Sequence, residues 1–95
     1  MAIKTWACQD TKAIFEGDSP DLVPRTVLKR ANAKLLVLHA AADLRDLSVP
    51  PGNRLEKLHG NRDGQHSIRI NDQYRACFVW RDGDAYDVEI VDYHD

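Results

Sequence analysis

No apolar run in these 95 residues approaches the roughly 20 needed to cross a bilayer, cysteine occurs only twice, and after Arg81 there is no lysine or arginine at all. Each scarcity excludes something. Without an apolar run there is no membrane-spanning helix, and the start Met-Ala-Ile-Lys-Thr-Trp has no apolar segment of the secretory-signal kind, so a cytoplasmic protein with no membrane partner is expected. Cys8 and Cys77 fit that compartment as small buried residues rather than a disulfide framework. Four histidines and two cysteines lack the short paired spacings of a zinc site, so neither metal nor cofactor is expected. Cys77 has no catalytic neighbour in sequence, which argues against a thiol nucleophile. Repeats, linkers and low-complexity stretches are missing too, and residues 1–95 read as a single domain.

An apolar share of 43% and a charged share of 29% are those of an ordinary globular chain. The net charge of −2 hides an uneven distribution. Asp82, Asp84, Asp87, Glu89, Asp92 and Asp95 make the last stretch wholly acidic. Residues 54–75 carry Arg54, Lys57, Arg62, Arg69 and Arg75 against Glu56, Asp63 and Asp72, with His59 and His66 adding charge when protonated. A basic middle beside an acidic end can hold a phosphate next to groups that move protons.

Residues 3–7 read as a short first strand with a buried Trp6. Asp10 is placed to cap a brief helix through Phe15, which Gly17, Ser19 and Pro20 end. Val27, Ala31, Leu35, Leu38 and Ala42 recur at helical spacing and predict a long core helix, starting near Asp21 or Pro24, with Arg25, Lys29 and Lys34 on other faces. Pro50-Pro51-Gly52 argues against regular structure before residue 54. Beyond it, alternation predicts strands over residues 54–59, 65–71 and 74–80 and a last strand from Tyr86 to His94, with turns at Gly60-Asn-Arg-Asp-Gly64, Asn71-Asp72-Gln73 and Asp82-Gly83. Two helices followed by consecutive strands indicate an α+β domain with the helices on one face of an antiparallel meander. Its end, Asp92-Tyr93-His94, unites a carboxylate, a phenol and an imidazole. The two-residue strand period puts Asp92 and His94 on one face and Tyr93 on the other.

The run Pro50-Pro-Gly-Asn-Arg-Leu-Glu-Lys-Leu58, the turn Gly60-Asn-Arg-Asp-Gly64, the segment Gln65-His-Ser-Ile-Arg-Ile-Asn-Asp-Gln-Tyr-Arg75 and the ending Val88-Glu-Ile-Val-Asp-Tyr-His94 closely resemble the HigB toxins of the RelE/ParE superfamily. The resemblance spans almost the whole chain and is densest over residues 50–94. It implies a RelE/ParE-like fold, two N-terminal helices packed on a twisted antiparallel sheet that ends in the C-terminal strand. It also implies a ribosome-dependent endonuclease that cleaves mRNA in the A site and is neutralised by a HigA-like helix-turn-helix antitoxin. Ribosome and mRNA are then direct partners, and operator DNA an indirect one through the antitoxin complex. The ParE branch shares the fold but inhibits DNA gyrase by protein binding, which is the alternative; an inactivated co-regulator is a remoter one.

Within that resemblance, Arg69 and Arg75 are the candidates for holding phosphate, because a guanidinium fork matches it bidentately. Arg62 and Arg54 are candidates for RNA backbone contact. His94 suits proton transfer near neutral pH, with Asp92 to orient or deprotonate and Tyr93 to stack or donate. His66 and Tyr74 are further RNA-binding candidates, although Tyr74 also suits the core. The family pattern has a histidine and a lysine ahead of the G-x-R-x-G turn. Without a gap those positions hold Glu56 and His59; with a three-residue gap His59 matches the histidine and no lysine remains. One cation is missing either way, and His59 replaces it only when protonated.

Overall fold

A computed structural model of the chain describes residues 2–93. Helix α1 (Gln9–Phe15) and helix α2 (Arg25–Ala40) precede strands β1 (Glu56–Lys57), β2 (His66–Arg69), β3 (Tyr74–Arg81) and β4 (Asp84–Asp92). The strands form one antiparallel sheet in the order β1-β2-β3-β4. This is the expected α+β arrangement, with differences at the ends of the elements.

The N-terminal segment is not a regular strand. Ile3 and Trp6 make isolated parallel bridges to Ala85 and Val88 of β4, and the Lys4 and Ala7 amides donate to the Ala85 and Val88 carbonyls at 2.8 and 3.0 Å. Trp6 is only partly buried. Helix α1 begins one residue before Asp10, at Gln9. Asp10 is therefore a first-turn residue rather than the cap, where its charge still suits the helix dipole. The helix ends where expected: Gly17, at φ +95°, donates to Ile14 O, and Asp18 donates to Ala13 O, the paired bonds of a left-handed C-terminal cap.

Pro24 occupies the N-cap of α2, leaving the fixed φ of proline outside the first turn. Val27, Ala31, Leu35 and Leu38 are buried as predicted, but Ala42 is exposed and Ala41 takes its place. The helix stops at Ala40 and the chain turns extended at Ala41 (ψ 133°), so the helical period no longer applies. The buried stripe packs with Ile14, Ile68, Ala76, Phe78, Val88 and Ile90 in one core. Each fully buried leucine or isoleucine there contributes roughly 1.5–3 kcal/mol by leaving water.

The segment before β1 is more regular than its prolines suggested, with 3-10 turns at Leu44–Ser48 and Pro51–Asn53. Asp43 and Asp46 form a capping box at the first. Wholly buried Asn53 ties the two together: its Nδ2 donates to Leu47 O and Val49 O at 3.3 Å each, and its Oδ1 accepts from Lys34 Nζ on α2. Only two residues of the strand predicted over 54–59 pair with β2. Arg54 is left-handed at φ 45°, and His59 already caps the next 3-10 turn, Gly60–Arg62. The Asp82-Gly83 hairpin forms as predicted, both residues at positive φ as a type I′ turn requires.

Candidate active site

Strand pairing divides the sheet into two chemical faces. Arg69 lies opposite Arg75, and Ser67 opposite both Glu56 and Cys77. Residues directly opposite share a face, so Glu56, Ser67, Arg69, Arg75 and Cys77 stand on the side away from the helices. Their neighbours Ile68, Ala76 and Phe78 enter the core. On the outer side a polar cleft of about 390 Å³ is lined by Arg54, Glu56, Arg69, Asn71, Asp72, Arg75 and Tyr93.

Arg75 is the fixed point of this cleft. Its side chain is only 9% exposed and its donors are distributed in several directions. Nε donates to Ser67 Oγ at 2.7 Å; Nη2 donates to the Arg54 carbonyl at 2.6 Å and meets Glu56 Oε1 at 2.9 Å. The left-handed conformation of Arg54 thus turns its carbonyl to Arg75 while its side chain lines the cleft. Above the guanidinium lies the Tyr93 ring, 5.7 Å from centroid to Cζ, within cation–π range. Arg69 pairs with Asp72 at the rim. Asn71 closes the rim: its Oδ1 accepts from the Gln73 and Tyr74 amides at 2.9 and 2.7 Å, leaving its NH2 donors uncommitted to that turn.

Six of the predicted site residues, Arg54, Glu56, Arg69, Arg75, Tyr93 and, beside them, Arg62, lie on this face. Arg62 is held there by Glu89 at 2.8 Å and Gln65 at 3.0 Å, and that bond to Glu89 pushes its already high pKa further up. It is outside the cleft lining, half committed within the protein rather than extended from the turn. Asp92 lies on the other side of β4, opposite Tyr74, and its Oδ2 accepts from Gln73 Nε2 at 3.0 Å. The terminal parity therefore puts Tyr93, not Asp92, on the cleft face. His94 lies outside the described residues.

Two candidates for RNA contact are displaced. Tyr74 is 9% exposed and belongs to the core cluster, so its ring has no open face for a nucleotide. His66 opposes Phe78 on the helix side, stacks on that ring at 6.3 Å between centroids, and has a buried Nδ1 without a hydrogen-bond partner among the described residues. Burial, and then the Lys57 charge, lower its pKa below the ordinary 6.5. His59 is exposed and not part of the cleft lining. Cys77 is buried, and burial pushes its thiol pKa up, the reverse of an activated nucleophile. Sequence reasoning missed Ser67, Asn71 and Asp72. Only the strand register puts Ser67 against Arg75, whereas Asn71 and Asp72 carried a legible signal, an Asx-type turn three residues from Arg69.

A cleft lined by three arginines, two carboxylates and a phenol can bind an oxyanion and stabilise charge that grows on it. The surrounding fold is shared with YoeB of Staphylococcus aureus: a solved YoeB–YefM complex superposes over 100% of this chain and 98% of that chain, with a TM-score of 0.60 at 22% identity. A YoeB dimer from the same organism gives 0.57 at 23% identity, again over 100% and 98% of the two chains. The chain belongs to the HigB-like toxins, RelE-like toxins of type II toxin-antitoxin systems, whose family pattern matches residues 6–94. Among curated relatives, Toxin HigB-1 of Vibrio cholerae is 48% identical over 64 residues, 67% of each chain. Endoribonuclease HigB of Proteus vulgaris is 30% identical over 95 residues, covering 97% of this chain and 99% of its own.

Proposed function

We propose that this toxin is an endoribonuclease that cuts mRNA in the ribosomal A site, without a metal, and that a HigA-like helix-turn-helix antitoxin restrains it. The observation that carries the reading is the cleft in which Arg75, locked by Ser67, Arg54 and Glu56, lies under Tyr93 and opposite Arg69. In the reaction the ribose 2′-oxygen attacks the adjacent phosphorus, the O2′–P bond forms and the P–O5′ bond breaks. A base takes the 2′-hydroxyl proton and an acid protonates the departing 5′-oxygen. A 2′,3′-cyclic phosphate and a 5′-hydroxyl result, and DNA, lacking the nucleophile, is inert.

Asp92 lies on the other side of β4 and outside the cleft lining, so Glu56, beside Arg75, is the carboxylate that accepts the proton. His94 is the proposed acid. Arg75 and Arg69 stabilise the charge on the phosphoryl oxygens, more strongly in the transition state than before it. Tyr93 is proposed to stack on a base or donate to phosphate. Arg54 and Arg62 extend the positive surface along the RNA, and His59 adds a cation when protonated.

Single-turnover cleavage of A-site mRNA on programmed ribosomes tests this reading. His94→Ala should lower the rate by roughly 10²–10⁴-fold with ribosome association kept, and Arg75→Ala should impair both. The same mRNA without ribosomes, at physiological salt, should remain largely intact. Absence of new mRNA 5′ ends after induction, accompanied by gyrase poisoning, would instead establish the ParE-like activity.

A further inference from the structure

Three arginines on the outer sheet face are each met by a carboxylate of the same chain, and the three pairs differ in how firmly they are held. Arg75 with Glu56 is anchored by two further acceptors. Arg62 with Glu89 is reinforced by Gln65, and both side chains are mostly covered. Arg69 with Asp72 is different, because the Asp72 side chain is 99% exposed. Such a pair opens readily in water.

The exposed carboxylate is nevertheless aimed. Asp72 belongs to the turn between β2 and β3, whose backbone is fastened by Asn71 Oδ1 accepting from both Gln73 and Tyr74. A stiff turn therefore presents an oxyanion to the Arg69 guanidinium at the mouth of the cleft that both residues line. Carboxylate and phosphodiester compete for the same fork of donors.

We propose that Asp72 is a resident substitute for an RNA phosphate: it occupies Arg69 in the free protein, and a phosphodiester of the bound strand displaces it. The proposal rests on reading the cleft as an RNA site and adds the place where one phosphate enters. It divides the labour of the two facing arginines. Arg75 stays fixed, while Arg69 exchanges its partner as RNA arrives. It also predicts a reduced affinity toward free RNA, since each strand must first compete with a carboxylate that is always present, a competition that mRNA held at high local concentration on the ribosome would win.

Binding of a fluorescent 2′-O-methyl RNA oligonucleotide, which cannot be cleaved, should be followed by anisotropy at low salt. Asp72→Asn should bind about two- to fivefold tighter than wild type, the range an exposed pair can hold back. Asp21→Asn, an exposed site on the segment before α2, changes net charge equally and should give no comparable gain. In an Arg69→Ala background the gain from Asp72→Asn should disappear. Asp72→Asn binding no tighter than Asp21→Asn, no binding by any variant, or an undiminished gain without Arg69 would overturn the proposal. Cleavage on programmed ribosomes separates it from the reaction: a wild type that cuts without any Asp72 effect refutes only the exchange. A wild type that does not cut, with the Asp72 gain intact, refutes only the nuclease.

Discussion

Ser67 has no charge and no exposed surface, yet it helps set the direction of the Arg75 guanidinium. Its hydroxyl accepts from Arg75 Nε while the Arg54 carbonyl and Glu56 hold Nη2, so the guanidinium has little freedom to turn. Ser67→Ala removes one acceptor from a buried charged donor and should destabilise the fold by about 1–3 kcal/mol. Cleavage should fall through the rate more than through RNA affinity, because a loosened Arg75 still attracts phosphate but no longer meets the transition state in place. A purely structural effect would add to that of Arg75→Ala. If Ser67 acts by positioning Arg75, the double variant should cut no more slowly than Arg75→Ala alone, and independent losses in single-turnover rate would show otherwise. The arginines themselves were legible in the sequence because residue type and motif spacing pointed to them. Ser67 was not, because nothing local distinguishes a serine facing an arginine across a strand pair from one facing solvent.

At the scale of elements, alternation and turn chemistry identified β2, β3, β4 and their hairpins, and helical period identified the core face of α2. What they missed lay where one long-range contact overrides a local pattern. Residues 54–59 alternate, but Arg54 is drawn into a left-handed conformation and its carbonyl onto Arg75, so only Glu56 and Lys57 pair. The N-terminal segment places its Lys4 and Ala7 amides on β4 through two bridges rather than a ladder, while the Ala2 and Ile3 amides donate to His39 of α2. Strand parity also decides the histidine of β2. His66 packs on Phe78, and burial, then the Lys57 charge, lower its pKa. Its folded pKa is lowered, so the unfolded chain takes up a proton first as the pH drops below about 6.5. Stability should therefore be full above that value, decline as the pH falls toward the folded pKa and level off below it. His66→Gln removes this contribution. Urea midpoints measured from neutral pH to about pH 5 should fall less steeply for the variant, and an unchanged slope would assign the acid loss to other groups.

For the whole molecule, the sheet separates two surfaces. One holds the arginine cleft, and beyond the core on the opposite side runs the outward face of α2. Arg25, Lys29 and Arg30 are exposed along its first half, Ala33, Leu36, Val37 and Ala40 along its second. Leu36 and Val37 are half and 38% exposed, unusual for large apolar side chains. Lys34, grouped with the basic residues by sequence, is instead turned to Asn53 and does not belong to this surface. A basic end followed by an apolar end suits an amphipathic partner segment with acidic residues at one end, and a toxin of a type II system has an antitoxin to bind. On the proposed reading of the cleft, antitoxin seated there would leave it open and act by bulk, hindering access to the ribosome rather than filling the cleft. Charge reversal at Arg25, Lys29 and Arg30 should weaken antitoxin binding by an order of magnitude or more while cleavage on ribosomes stays at the wild-type rate. The antitoxin-bound toxin should still bind the 2′-O-methyl oligonucleotide with the affinity of the free protein. Unchanged antitoxin affinity in the reversed variant would move the interface off α2, and loss of oligonucleotide binding in the complex would put the antitoxin over the cleft.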